Sequence, residues 1–229
     1  MFVRDEDLFN NNVFVLNDSS QMETIETDRA KITIIDNFYE DVDSVLVELD
    51  KLPITKVFTR FLDNGVTFFD GRKSYAANMS GSGISYVEDK SLRNKLSEII
   101  NYPPESIKVG KDILINCFQF SDRFELDDTK YYSVHEDSPQ DISIVVFLNK
   151  HYHEGEGMNF YGELPTGNPS IGETNNILPR KDIKLVHTVQ GKCNRAVLFD
   201  SKFTHGQHTP TDQFKKEMRY TQVIFFKLH

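Results

Sequence analysis

The sequence predicts a mainly β protein of the α+β class, a double-stranded β-helix (jelly-roll) barrel with N-terminal helices packed on one face. Two observations lead there. From residue 112 onward, β-branched and aromatic runs recur at short intervals between turn residues, enough for seven or eight strands. The helical periodicity is confined to the region upstream of them. No internal repeat and no low-complexity linker divides the 229 residues, so a single domain is expected.

Residues 1–30 are polar, with an Asn run from Asn10 to Asn12, and read as an arm or a short irregular strand. Residues 31–111 form a helical and loop-rich support region. Within it Lys31–Asp36 reads as a strand, and Val42, Val45, Leu46 and Leu49 make one face of a helix over Glu40–Leu52, closed by Pro53. Ile54–Tyr86, rich in aromatics, Gly and Ser, reads as an ordered loop with short strands. Leu92, Leu96, Ile99 and Ile100 give a second helix over Asp89–Asn101, ended by Pro103 and Pro104.

The barrel core is placed at residues 112–228. Its strands are expected at Ile113–Phe120, Lys130–Val134, Ile142–Leu148, Met158–Tyr161, Ile183–Val189, Ala196–Phe199 and Tyr220–Leu228.

Composition removes several function classes. Eighteen Phe residues and no Trp imply a filled apolar interior rather than a disordered chain. A net charge of -9 argues against a phosphate-tracking nucleic-acid protein. No apolar run approaches the ~20 residues of a membrane span. Arg4, Asp5, Glu6 and Asp7 stand where a signal peptide would be apolar, which predicts a cytoplasmic protein. Cys117 and Cys193 are either a disulfide or two buried thiols, and a reducing compartment favours thiols. No Cys/His finger spacing is present.

The residues that carry chemistry are His135, Asp137 and His205. His135 and Asp137 leave a strand two apart, so both side chains point to one side. His205 closes the segment Phe199-Asp-Ser-Lys-Phe-Thr-His205. Two imidazoles and one carboxylate form the facial triad of non-haem Fe(II) oxygenases, leaving three positions for a bidentate 2-oxo acid and O2. A structural site would close its coordination sphere. Arg219 opens the final strand, where its planar fork suits a carboxylate. Thr221 shares its strand face.

Residues 112–228 resemble the 2-oxoglutarate/Fe(II)-dependent dioxygenases, in particular the prolyl-4-hydroxylase-like branch. Upstream, Ile34-Ile-Asp-Asn-Phe-Tyr39 and Phe69-Asp-Gly-Arg72 are similar to the N-terminal part of small or phage-encoded members. The resemblance places the H-x-D element on His135 and Asp137, the distal histidine on His205, and the 2-oxoglutarate arginine on Arg219 within Arg219-Tyr-Thr221. Tyr132 falls on an aromatic of the pocket wall that reaches the same carboxylate.

The resemblance implies Fe(II), 2-oxoglutarate and O2 as cofactor and co-substrates. It implies hydroxylation of a peptide side chain or small molecule, with succinate and CO2 as co-products. The carboxylate of Asp137 fits hydroxylation, since related halogenases carry a small residue there. The stretch from His205 to Arg219 is longer than the usual spacing, with a polar loop over Thr209–Met218. Arg195 is the other candidate for the carboxylate, although it precedes His205.

His208 competes with His205 as ligand, and His151-Tyr-His153-Glu154 is a second candidate metal motif that reads better as a surface loop. His187 reads as a barrel histidine and Glu136 as solvated. Two other functions fit the same residues: a barrel binding module with a non-catalytic metal site, and a cupin-type metalloenzyme that does not use 2-oxoglutarate.

Overall fold

The computed structural model describes residues 13–50, 60–63, 66–69, 73–76, 89–109, 114–119, 134–137, 139–162 and 184–229. Tyr132, the expected strand Lys130–Val134 except its last residue, and most of Ile54–Tyr86 lie outside them.

The chain enters through a hairpin of β1 (Gln21–Glu26) and β2 (Lys31–Asp36), in unbroken register from Gln21↔Asp36 to Glu26↔Lys31. The expectation of an arm or irregular strand misses this regularity. β1 is exposed along nearly its whole length, so no buried alternation marks it in sequence. Helix α1 (Val42–Leu49) starts where the Asp41 carboxylate accepts from Ser44 N at 3.1 Å, which moves its start two residues past the expected one. Helix α2 (Asp89–Ile100) stops at Asn101, whose φ of 52° is left-handed. A 3-10 turn (Pro104–Ser106) follows; among the described residues three further strands lie between α1 and α2 and the rest come after this turn.

With β3 (Arg60–Asp63), β4 (Val66–Phe69), β5 (Lys73–Ala76), β6 (Ile107–Val109) and β7 (Leu114–Gln119) upstream, the later strands are β8 (Ile142–Phe147), β9 (Gly157–Tyr161), β10 (Leu185–Gln190), β11 (Arg195–Asp200), β12 (His205–His208) and β13 (Arg219–Leu228). Between β12 and β13 lies a four-residue helical turn, α3 (Gln213–Lys216). The large sheet runs β1-β2-β11-β8-β13-β7-β5, with β6 also paired to β13. A three-stranded sheet runs β10-β9-β12, and β3 pairs with β4.

Period-two alternation divides the large sheet into two faces. Ile35, Ile144, Val146, Ala196, Leu198, Ile224 and Phe226 share one buried cluster with Val45 and Leu46 of α1 and Leu92 and Leu96 of α2. Ile32, Ile34, Val145, Phe147, Val197 and Phe199 share the other with Met158, Phe160 and Val189 of the small sheet. This inner cluster is rich in Phe, and each fully buried Phe contributes roughly 1.5–3 kcal/mol. The two sheets are thereby held face to face, and the candidate site lies at one end of the space between them.

Candidate metal centre

The two candidate histidines meet through their backbones. His135 N donates to His205 O at 2.8 Å and His205 N to His135 O at 2.9 Å, an antiparallel bridge that puts both side chains on one side. His205 lies opposite Phe160 on β9, so its ring faces the inner cluster. Asp137, two residues past His135, is fixed by Asp137 N donating to Ser201 O at 2.7 Å. A bridge and one main-chain bond therefore join two segments that are remote in sequence.

The donor atoms converge. Asp137 Oδ1 is 3.3 Å from His135 Nε2, and Asp137 Oδ2 is 3.4 Å from His205 Nε2. One ligand atom from each of the three residues lies within 4.8 Å of the others. His205 Nδ1 is 2.8 Å from the carbonyl of Phe203. A carbonyl only accepts, so Nδ1 carries the hydrogen and Nε2 of the neutral ring presents a lone pair. Phe199 packs on the same ring edge-on, with centroids 4.6 Å apart.

Burial pushes the His205 pKa below its ordinary value and favours the neutral imidazole. Burial alone would raise the Asp137 carboxyl, but hydrogen bonds and charge from His135 and His205, supplied whenever those rings carry a proton on Nε2, outweigh it and hold the group well below the usual carboxylate range; a cation at the same point would act in the same direction. Lone pairs from two imidazoles and an ionised carboxylate aimed at one point repel one another unless a cation sits between them. The donor set therefore fits a metal ion. The side chain of His135 is one-third exposed while His205 and Asp137 are nearly closed off, so the centre opens on the His135 side.

Arg219 and Thr221 lie further along the same inner face. Thr221 stands opposite Phe147 and Val223 opposite Val145, which sets Arg219 toward the end of the face away from Ser143. Arg219 is 5% exposed; its guanidinium rests on the rings of Phe147 and Phe214, at 6.0 and 5.9 Å, and Nη1 is 3.4 Å from Thr221 Oγ1. Burial lowers its pKa, with the charges of Tyr152 and Glu156 acting the other way.

The other candidates separate from the centre. Arg195 is committed to Asp36. His208 alternates to the opposite side of β12 from His205. His151 and His153 are exposed, and His153 Nδ1 meets Thr211 Oγ1 at 3.3 Å. His187, on β10 opposite Phe160, is half-buried and outside the donor cluster. Glu136 is half-buried and accepts from Thr204 Oγ1 at 3.3 Å, rather than standing free in solvent.

Sequence reasoning missed four contributors. Phe214 is fully buried in the segment read as a polar loop, and Gln213 beside it links to His151 O at 2.9 Å and His153 N at 2.8 Å. Thr209–Met218 is thus a pinned connection containing α3. Ser143 Oγ bonds the Asp137 carboxylate, and Ser201 Oγ bonds Ser143 Oγ. A lone Ser inside the apolar run Ile142–Phe147 was the available signal.

No protein-family model matches the chain, and no curated protein does. Similar solved structures do exist. An oxidoreductase of the 2OG-Fe(II) oxygenase family from Burkholderia pseudomallei is 12% identical over 86% of this chain and 85% of its own, with a TM-score of 0.42. The non-heme alpha ketoglutarate dependent epimerase SnoN from nogalamycin biosynthesis is 12% identical over 86% of this chain and 76% of its own, at 0.49. A Pseudomonas putida prolyl-4-hydroxylase is 12% identical over 86% and 92%, at 0.40. Likenesses this distant carry no inference about chemistry, which rests on the donor set.

Proposed function

We propose that this chain is an Fe(II)- and 2-oxoglutarate-dependent dioxygenase that hydroxylates a C–H bond of a peptide side chain or small molecule. The observation that carries the reading is the convergence of His135 Nε2, the Asp137 carboxylate and His205 Nε2 within 4.8 Å. The fold is read as one double-stranded β-helix domain spanning 1–229, in a cytosolic protein whose Cys193 is a free thiol.

In this reading His135, Asp137 and His205 would hold Fe(II) and leave its other positions for co-substrates. When bound, the metal supplies the oxidative decarboxylation of 2-oxoglutarate to succinate and CO2 and the oxidising power for hydroxylation. Arg219 takes the far carboxylate of 2-oxoglutarate through its planar fork, and Thr221 adds a hydroxyl. Phe147 and Phe214 keep water from the guanidinium, which strengthens its hold on a carboxylate. Phe199 and the Phe203 carbonyl keep the His205 ring in one orientation and one tautomer.

The test is anaerobic loading with Fe(II), followed by O2 and 2-oxoglutarate, with succinate measured. Succinate that disappears in His135→Ala supports the proposal. Its absence from the wild type across a substrate screen favours the binding module. Turnover untouched by Arg219→Ala favours a cupin-type enzyme that does not use 2-oxoglutarate.

A further inference from the structure

Ser143 is fully buried in β8, between Ile142 and Ile144, and Ser201 is fully buried just after β11. Ser143 lies opposite Phe199 and Phe225, on the face that turns toward the small sheet. An apolar residue at such a position would stabilise the core, whereas a buried hydroxyl is destabilising unless it is hydrogen-bonded. Ser143 Oγ is 2.7 Å from Asp137 Oδ2 and 2.8 Å from Ser201 Oγ.

We infer that Ser143 and Ser201 form a one-way hydroxyl relay that positions the Asp137 carboxylate as a single-oxygen metal ligand; this rests on the metal reading above. Each hydroxyl has one hydrogen to give. A metal-ligating carboxylate is ionised and can only accept, so Ser143 donates to Asp137 Oδ2. Its lone pairs then receive the Ser201 hydrogen, and the direction of the chain is fixed. Both bonds polarise the same way, which strengthens the terminal one.

The main chain already ties the same residues together, since Asp137 N donates to Ser201 O at 2.7 Å and Ser201 N to Asp141 O at 3.0 Å. The hydroxyls therefore act on the carboxylate's rotation rather than on the path of the backbone. Both carboxylate oxygens face the centre, Oδ1 beside His135 Nε2 and Oδ2 beside His205 Nε2, and the Ser143 bond to Oδ2 biases a metal to Oδ1. Attachment through one oxygen keeps the remaining positions open, where a chelating carboxylate would fill one of them. Ser143 and Ser201 are positioning residues that act through Asp137.

The test is anaerobic titration of metal-free full-length protein with Co(II), following its visible absorption, alongside the melting temperature of the metal-free form. Ser143→Ala is expected to weaken Co(II) binding by about 10- to 100-fold and to shift the absorption toward higher coordination. Ser201→Ala, which leaves the direct bond intact, is expected to weaken binding by only a few fold. The double variant should match Ser143→Ala, because Ser201 acts only through Ser143. Losses that multiply in the double variant overturn the relay.

Unchanged affinity in Ser143→Ala with a lowered melting temperature makes the serine purely structural and overturns the inference. If Ser143→Ala does not fold, unchanged affinity in Ser201→Ala overturns it instead. Asp137→Ala separates the two levels. Loss of Co(II) binding there upholds the metal centre whatever the serines do, and equal binding in wild type and Asp137→Ala overturns both.

Discussion

Arg195 grips Asp36 at two points, Nε 2.7 Å from Oδ1 and Nη2 3.0 Å from Oδ2, across the neighbouring strands β11 and β2. That fork is spent on structure. It removes the alternative carboxylate receptor that the sequence offered and leaves Arg219 as the arginine for the proposed 2-oxoglutarate site. The Arg195 hydrogen bond, helped by Lys192 and opposed by burial, lowers the Asp36 carboxyl from 3.8 to about 2.

A group whose folded-state pKa is depressed contributes stability above its unfolded value and loses it as pH falls through the folded value. Asp36 should therefore stabilise the fold fully above pH ~4, with the contribution fading toward pH ~2. Solvent screening brings the expected size to on the order of 1 kcal/mol. Urea unfolding of wild type and Asp36→Asn at pH 7 and pH 3 measures it. The gap between the two proteins should narrow at pH 3, and a gap that widens there refutes the assignment.

Metal held at the proposed centre should stabilise this protein by an amount that grows with the logarithm of its affinity. A ligand at a hundred times its Kd adds about 2.7 kcal/mol to a folded state that alone binds it. Anaerobic Fe(II) should therefore raise the melting temperature of the wild type and leave that of His205→Ala unmoved. Calorimetry with and without a chelator reads this directly.

Arg219→Lys is a sharper probe of the carboxylate site than Arg219→Ala. Lysine keeps the charge but loses the planar two-point grip. The KM for 2-oxoglutarate should rise about tenfold or more, while Co(II) affinity stays within a few fold of wild type. A matching loss of Co(II) affinity would mean that Arg219 supports the metal centre instead.

Phe214→Ala should cost about 3–5 kcal/mol of stability, as a fully buried ring is lost. Because this ring also supports Arg219, the KM for 2-oxoglutarate should rise in the protein that remains folded, with kcat less affected. Phe214→Leu, which restores most of the volume, should recover stability before it recovers KM.

Much of the inner architecture was legible in sequence because it obeys alternation. The runs at Ile142–Phe147 and Arg195–Asp200 read as strands and are strands. The nearness of His135 and Asp137 was legible because they are two apart on extended chain. What brings His205 to them is a bridge between distant backbones, which no local pattern encodes. The regularity of β1, read only as an arm or a short irregular strand, was not legible because its residues are held by ladder bonds to β2 rather than by burial. α3 escaped because one buried Phe holds down a segment whose composition is polar. Ser143 and Ser201 look incidental until the fold sets them beside a carboxylate.

The order of strands in the large sheet has a consequence in time. β2 neighbours β11, β11 neighbours β8, and β8 neighbours β13, so nearly every central ladder joins stretches far apart along the chain. Closing such large loops before any contact compensates for the lost entropy makes assembly slow. The bridge that makes His135 and His205 neighbours is another such long-range contact, set beside the β8–β11 and β9–β12 ladders. The centre is therefore expected to form late in folding, and metal added to the unfolded chain should not set its pace.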